Sequence, residues 1–248
     1  MTRISVELVP RDIEVLKEEV KTIKEKLNDV DFINIPDLLS CDTRSWDGAN
    51  IAKAYFDDVV PHLRAMDFDF TKELPIKDKL REYNIKEVLV IEGDPPQSML
   101  YQVYPTISTD IIKKFSEEMP EITVYAGIDQ YRSSMKEEEY RIRRKQLAGA
   151  KGFFTQPFFD MRYLEMYADL LDGLDIYWGV SPVLSERSVS YWRNKNNVIF
   201  PKDFKPTLEW NIEFARKVID FARKHNHNVY LMPIKAKIMP YLEGVFAK

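Results

Sequence analysis

The chain has 248 residues, of which 45% are hydrophobic and 31% charged, and its formal net charge is −4. Acidic and basic residues are interspersed, so we expect no broad basic surface that would bind a nucleic-acid backbone or an anionic membrane. No apolar run approaches the roughly 20 residues that span a bilayer, and the single cysteine, Cys41, excludes an internal disulfide. The sequence therefore predicts a cytoplasmic protein without nucleic-acid or membrane partners.

Short apolar segments alternate with longer segments of helical periodicity, which is typical of a parallel sheet with helical crossovers. The first strand is predicted over residues 4–9, and Pro10 ends it. The next segment has apolar residues at the spacing of one helix face. These residues are Ile13, Leu16, Val20, Ile23 and Leu27.

The remaining elements continue the same alternation along the chain. Further strands are predicted at 32–35, 59–63, 87–91, 122–126, 152–155, 176–180 and 228–232. Helices are predicted at 49–56, 76–83, 109–119, 137–148, 161–171 and 208–225, and the longest irregular stretch at 191–206. A barrel of eight β/α units typically takes roughly 250 residues. The pattern therefore predicts an α/β fold, a (β/α)8 barrel of the TIM type, as one domain over residues 1–248.

Polar residues at strand ends are the candidate site residues, because such barrels build their sites where strands end and loops begin. Glu7 lies inside an apolar strand, so it either points into the barrel mouth or is an edge or salt-bridged glutamate. Asp94 follows a buried strand and precedes two prolines, as a site residue or a plain turn aspartate. Gln156 follows an aromatic strand and suits a flat heterocycle with hydrogen-bonding edges.

Several other chemistries are disfavoured by the same sequence. The three histidines and the single cysteine are scattered, without the spacing of a zinc site or of a nucleophile with its base. The eight glycines form neither G-x-G-x-x-G nor a Walker A loop. The residues alone therefore predict a barrel that binds a planar polar ligand, without a metal.

Three motifs at the strand ends are similar to those of one family. Residues 5–10 read S-V-E-L-V-P and match S-F-E-F-F-P, and residues 91–96 read I-E-G-D-P-P and match L-R-G-D-P-P. Residues 145–160 match K-x-x-A-G-A-x-x-x-x-T-Q-x-F-F-D. In these motifs the chain resembles the methylenetetrahydrofolate reductases, in register from Ser5 to about Pro182.

The resemblance implies reduction of 5,10-methylenetetrahydrofolate to 5-methyltetrahydrofolate, or the reverse, with tetrahydrofolate as the substrate class. It implies that Glu7 is the general acid that opens the five-membered ring of the folate. That role requires burial to raise the pKa of its carboxyl toward the operating pH. It also implies that Asp94 binds the pterin and sets the charge around it, that Gln156 orients the pterin, and that Lys235 contacts the substrate.

The resemblance implies FAD as the cofactor as well, but the flavin half of the site is altered. Glu92 stands where the family has an arginine facing the diphosphate, and an acid there repels phosphate. Gly127 stands where the family has a tyrosine, and Pro36 where a hydroxyl residue is usual. We therefore predict weak or absent FAD binding. Residues that could still face the cofactor are His62, Tyr131, Glu138 and Lys145.

Two classes of function remain at this level. One is a folate oxidoreductase with NAD(P)H as electron donor. The other is a noncatalytic or methyl-transferring tetrahydrofolate-binding barrel that has lost flavin binding. Glu7 favours reduction, because binding alone does not need a buried acid. The sequence leaves the oligomeric state open, and a homo-oligomer is compatible with it.

Overall fold

A computed structural model describes residues 2–96, 98, 101–234 and 236–247. Each strand pairs in parallel with the next, and the last strand pairs with the first, so the sheet closes into a barrel. This confirms the predicted (β/α)8 fold. The strands are β1 (Ile4–Glu7), β2 (Phe32–Ile35), β3 (Val59–Arg64), β4 (Glu87–Ile91), β5 (Thr123–Ile128), β6 (Gly152–Pro157), β7 (Ile176–Val180) and β8 (Asn228–Leu231).

The helices surround the barrel and cover the outward faces of its strands. Within the described ranges, no helix is both long and apolar enough to cross a lipid bilayer. A short 3₁₀ turn at Ala65–Asp67 follows β3. The helices are α1 (Ile13–Lys26), α2 (Ser45–Ala52), α3 (Lys77–Glu82), α4 (Ser108–Glu118), α5 (Met135–Ala148), α6 (Met161–Leu170), α7 (Glu186–Lys195), α8 (Leu208–His225) and α9 (Ile238–Phe246).

Two of these helices correct the sequence-based prediction. The stretch 191–206 was predicted to be irregular, but its first residues complete α7, whose first turn is capped by the side chain of Ser185. Only Val189 is buried in α7, so this helix has no apolar stripe that periodicity could reveal. The helix α9 was not predicted, although its apolar residues Ile238, Tyr241, Leu242 and Val245 recur at the spacing of one helix face.

The strands are buried on both faces, and their side chains alternate between the helices and the barrel interior. In β1, Ile4 and Val6 belong to the core under the helices, so Ser5 and Glu7 face inward. The interior is filled mainly by aromatic rings, of which Phe154 and Tyr177 stack with centroids 4.1 Å apart. The buried hydrophobic residues of the interior are Phe32, Val60, Leu89, Tyr125, Phe154, Tyr177, Tyr230 and Met232.

Arg3 closes the N-terminal end of the barrel. Its guanidinium lies 3.2 Å from a carboxylate oxygen of Glu87 and 3.3 Å from one of Asp58. It also donates to the hydroxyls of Tyr125 and Tyr177, at 3.3 and 3.1 Å. These charged and hydroxyl groups fill the N-terminal end of the barrel. A ligand therefore has to approach from the C-terminal end, where the strands finish.

Candidate functional site

Glu7 is the last residue of β1 and lies at the C-terminal mouth of the barrel. Its side chain is buried, with 8% of the residue exposed, and its Oε2 accepts a hydrogen bond from the hydroxyl of Tyr230. Burial raises the pKa of Glu7 to about 7, although the bond from Tyr230 favours the carboxylate. No ion pair to Glu7 occurs in the described part of the chain, in contrast to the salt-bridged alternative. A carboxyl in this state can release a proton near neutral pH.

Asn34 and His62 form a second polar pair beside Glu7. Asn34 is the neighbour of Glu7 in the barrel register, and its Nδ2 lies 3.2 Å from Nε2 of His62. Both residues are buried, and Oδ1 of Asn34 has no hydrogen-bond partner. Burial lowers the pKa of His62 to about 3, so its ring is neutral. Asn34 was not predicted as a site residue. The only indication in the sequence is that it is polar within an apolar strand, on the same side of the strand as Phe32.

Asp94 is held through its backbone by Arg64, the last residue of β3. One guanidinium nitrogen of Arg64 donates to the carbonyl oxygen of Asp94 at 2.8 Å. Gly93 has a φ of +87°, a conformation that residues with a Cβ rarely adopt, and this turns the chain after β4. The side chain of Asp94 itself is exposed. The backbone is thus anchored and the carboxylate is left accessible.

A chain of alternating charges fixes the loops around Arg64. Its Nε lies 3.3 Å from Oδ1 of Asp67, and Oδ2 of Asp67 accepts from Arg44 at 2.7 Å. Arg44 also donates through two nitrogens to the buried carboxylate of Asp37, at 2.9 and 2.5 Å. Because these residues come from the loops after β2 and β3, the network ties the two loops together. Sequence reasoning missed it, although two of its three pairs join residues only three and seven positions apart.

Gln156 lies within β6, not after it as predicted, and its side chain is exposed at the C-terminal end of that strand. Gln130 holds its backbone with two bonds: Nε2 donates to the Gln156 carbonyl at 2.8 Å, and the Gln156 amide donates to Oε1 at 3.1 Å. A Cβ at Gly179 would lie 2.5 Å from the carbonyl oxygen of Thr155, so β7 needs glycine here. Gln156 therefore has a fixed backbone and an accessible amide.

The residues predicted on the flavin side are engaged within the protein. The hydroxyl of Tyr131 donates to the carbonyl of Pro157 at 2.9 Å. Lys145 donates to the carbonyl of Gly127 at 2.6 Å, and burial lowers the pKa of its ammonium. Glu138 accepts from the Asp129 amide at 3.2 Å, and burial raises the pKa of its carboxyl.

Glu92 follows β4 directly and caps α4, the next helix along the chain. Its two carboxylate oxygens accept from the amide and the hydroxyl of Ser108, at 3.1 and 2.7 Å. The partial positive charge of a helix N-terminus favours anions, and here the acid already occupies it. By the resemblance, a flavin diphosphate would lie at this place and would meet a negative charge. The residues present therefore do not fit the flavin that the resemblance implied.

Glu7, Asp94 and Gln156 reach the same end of the barrel from β1, the loop after β4, and β6. No hydrogen bond joins these three side chains to one another within the ranges that the structure covers. Lys235 lies outside the described residues. Among the residues that are described, no cluster of three or more His, Cys, Asp or Glu side chains could hold a metal ion.

Sequence comparison gives one distant relative among curated proteins. No family model matches the chain. Over 147 residues the chain is 22% identical to the 5,10-methylenetetrahydrofolate reductase of Buchnera aphidicola subsp. Schizaphis graminum. The match covers 57% of this chain and 50% of that protein, so the chain spans about half the length of this relative.

Structural comparison gives several barrels of similar fold. An uncharacterized protein from Clostridium thermocellum, described as binding two copies of 5-methyl-5,6,7,8-tetrahydrofolic acid, has a TM-score of 0.64 and 13% identity, covering 98% of this chain and 94% of that one. An oxaloacetate acetylhydrolase with its product oxalate has a TM-score of 0.60 and 10% identity, covering 96% and 77%. At these identities the similarity shows the fold alone.

Proposed function

We propose that this chain is a folate-dependent oxidoreductase that reduces 5,10-methylenetetrahydrofolate to 5-methyltetrahydrofolate. The observation that carries the proposal is the state of Glu7. It is a buried carboxyl at the open end of the barrel, with a pKa raised to about 7. General acids work best when their pKa lies near the operating pH, and a residue that only binds a ligand does not need such a pKa.

The comparisons support the folate part of this proposal. The distant curated relative is a 5,10-methylenetetrahydrofolate reductase, and one barrel of similar fold is described as binding a methyltetrahydrofolate. The motifs around Glu7, Asp94 and Gln156 resemble that reductase family. Together these observations favour a reduced folate over the carboxylic acids that other barrels of this fold bind.

The reaction needs one proton and one hydride. Glu7 would donate its proton to the amine nitrogen that leaves when a C–N bond of the five-membered ring breaks. The methylene carbon then forms an iminium with the other ring nitrogen. A dihydronicotinamide, NADH or NADPH, would give the hydride to this carbon and become oxidised. Glu7 would regain its proton from solvent, which completes the cycle.

Binding would rest on three further residues. The exposed carboxylate of Asp94 and the exposed amide of Gln156 are placed to hydrogen-bond the edges of a pterin, and Lys235 is proposed to contact the substrate. Fixed backbones at Asp94 and Gln156 lower the entropic cost of orienting the ligand. Neutral His62 and Asn34 would add hydrogen-bonding atoms without charge.

We propose that FAD binds weakly or not at all. The cap that Glu92 forms on α4 and the internal bonds of Tyr131 and Lys145 support this. In this chain Tyr131, Glu138 and Lys145 tie the loop after β5 and the helix α5 to neighbouring strands. The proposed reaction therefore takes hydride from the nicotinamide without a step through a flavin.

A folate-binding barrel without redox chemistry is the second candidate. Its support is the Clostridium thermocellum protein, which is described only as binding a methyltetrahydrofolate, at a TM-score of 0.64 over 98% of this chain. Such a barrel would either carry the folate or pass on its methyl group. This second candidate does not account for the raised pKa of Glu7.

One pair of measurements tests the proposal. Calorimetry with 5-methyltetrahydrofolate measures binding, and an anaerobic assay follows oxidation of NADH or NADPH by 5,10-methylenetetrahydrofolate. We expect saturable binding and turnover. Binding without turnover by either nucleotide favours the second candidate. Absence of saturable binding contradicts both.

A further inference from the structure

Tyr230 contacts Glu7 where the barrel closes. Tyr230 lies on β8 and Glu7 on β1, and these strands pair with each other. The hydroxyl of Tyr230 donates to Oε2 of Glu7, and 4% of Tyr230 is exposed. Two buried polar groups of this kind are costly unless they satisfy each other. The contact is therefore a fixed part of the site.

The tyrosine ring is held by other aromatic groups. Its centroid lies 5.2 Å from that of Phe154, edge to face, and 6.2 Å from the ring of His62. Phe154 is stacked on Tyr177 in turn. Because the ring cannot swing freely, its hydroxyl defines where Oε2 of Glu7 must lie.

The two oxygens of the Glu7 carboxyl are therefore unequal. Oε2 accepts from Tyr230, whereas Oε1 has no hydrogen-bond partner in the described part of the chain. In a protonated carboxyl, the oxygen without hydrogen is the better acceptor. The donor at Oε2 thus favours the proton on Oε1, the oxygen without a hydrogen-bond partner among the described residues.

We propose that Tyr230 is the positioning residue of Glu7, holding Oε2 as the acceptor so that Oε1 carries and delivers the proton. The identity of the molecule that accepts this proton rests on the proposed function, but the coupling between Tyr230 and Glu7 does not. Tyr230 itself does not titrate in this range, since burial raises the pKa of its hydroxyl well above the usual value. It acts on the substrate through Glu7.

The neighbours of the pair allow a clear pH test. Besides Tyr230 on β8, the pair has His62 on β3 as a titratable neighbour, whose pKa of about 3 keeps it neutral above pH 5. From β2, Asn34 contributes an amide without charge. Loss of the Tyr230 hydroxyl removes an interaction that favours the carboxylate. The pKa of Glu7 should therefore rise.

The test is carbon-13 NMR of glutamate carboxyl groups in the full chain, with Glu7 assigned through Glu7→Gln. We expect Tyr230→Phe to raise the proton affinity of Glu7 about tenfold. Tyr177→Phe is the matched control, because its hydroxyl bonds Arg3 at the other end of the barrel and its loss should not move Glu7. An unchanged Glu7 titration in folded Tyr230→Phe overturns the proposal.

A second variant covers the case in which Tyr230→Phe does not fold. Site-specific 3-fluorotyrosine at position 230 keeps the ring and the hydroxyl but makes the hydroxyl a stronger donor. It should lower the pKa of Glu7, and no change or a rise contradicts the proposal.

Turnover provides the readout at the substrate. In Tyr230→Phe we expect kcat for methylenetetrahydrofolate to fall about tenfold with KM little changed, and the alkaline limb of the pH profile to move upward. A wild type without turnover rejects the proposed reaction and leaves the NMR result to decide on Tyr230. If the wild type turns over, a normal kcat and an unmoved pH profile in Tyr230→Phe reject the positioning role.

Discussion

Tyr230 and Glu7 are 223 residues apart in the chain and share a hydrogen bond across the seam of the barrel. The bond satisfies one oxygen of a carboxyl that has lost most of its hydration. It does not fully offset the burial, since the pKa of Glu7 stays raised at about 7. A group whose pKa differs between the folded and unfolded chain makes stability depend on pH.

The first prediction concerns stability and needs no ligand. The folded pKa of Glu7 is about 7 and its ordinary value is 4.5, so the folded chain binds the proton more tightly. This contribution is fully present below pH 4.5 and is lost as pH rises through 7. Relative to Glu7→Gln, we expect the free energy of unfolding of the wild type to fall by about 3 kcal/mol between pH 4.5 and 8. Urea denaturation at several pH values measures it, and a flat difference contradicts it.

The second prediction concerns catalysis by Glu7. Glu7→Gln keeps the shape of the side chain but cannot donate the proton, so we expect reduction to slow by about 10² to 10⁴. Binding of 5-methyltetrahydrofolate by calorimetry should change little. In the wild type, turnover should decline as pH rises through about 7, because the protonated form is the active one.

Glu14→Gln is the control for that variant. Glu14 is an exposed helix residue paired with Lys17, and its change should leave turnover as in the wild type. Near-normal turnover in Glu7→Gln would show that another group is the acid, and the binding barrel would then be favoured.

The third prediction concerns the anchor of Asp94. Arg64→Gln removes the charged donor to the Asp94 carbonyl, while Asp67 keeps its bond to Arg44. A hydrogen bond from a charged group contributes about 1.5 to 3 kcal/mol, so we expect the Kd for 5-methyltetrahydrofolate to rise about tenfold or more. Arg81→Gln, which loses an exposed pair, should bind as the wild type does. Equal affinities of the wild type and Arg64→Gln would show that Asp94 is not part of the ligand site.

The fourth prediction concerns Arg3 at the N-terminal end of the barrel. Arg3→Met removes the partner of Glu87, whose side chain is 16% exposed. We expect a loss of about 2 kcal/mol in the free energy of unfolding, between the values typical of exposed and of buried ion pairs. Affinity for folate should be unchanged, since Arg3 lies at the opposite end. Arg223→Met, at an exposed pair, should cost much less. A parallel loss of folate affinity would place the ligand elsewhere.

The fifth prediction concerns the flavin. We expect purified protein to be colourless and fluorescence titration with FAD not to saturate, because Glu92 already occupies the N-terminus of α4. A yellow preparation with stoichiometric FAD would contradict this and restore a flavin-dependent reaction.

The alternation of apolar runs and helical stripes was enough to predict the barrel and its eight strands. Residues that decide such patterns are close together in the chain, so the sequence carries them directly. The same local reasoning found Glu7 as an acid inside a buried strand and Gln156 as a polar residue at a strand end. It missed α7, in which only Val189 is buried, and it also missed α9, although the apolar residues of α9 recur at helical spacing.

The partners of the site residues were decided only by the tertiary structure. Asn34 meets His62, Arg64 meets the Asp94 carbonyl, and Tyr230 meets Glu7. Which inward side chains face each other depends on how the closed barrel staggers and tilts its strands, and no local pattern encodes that. The sequence by itself therefore determined the strands and the buried acid, whereas closure of the barrel decided which hydroxyl holds that acid.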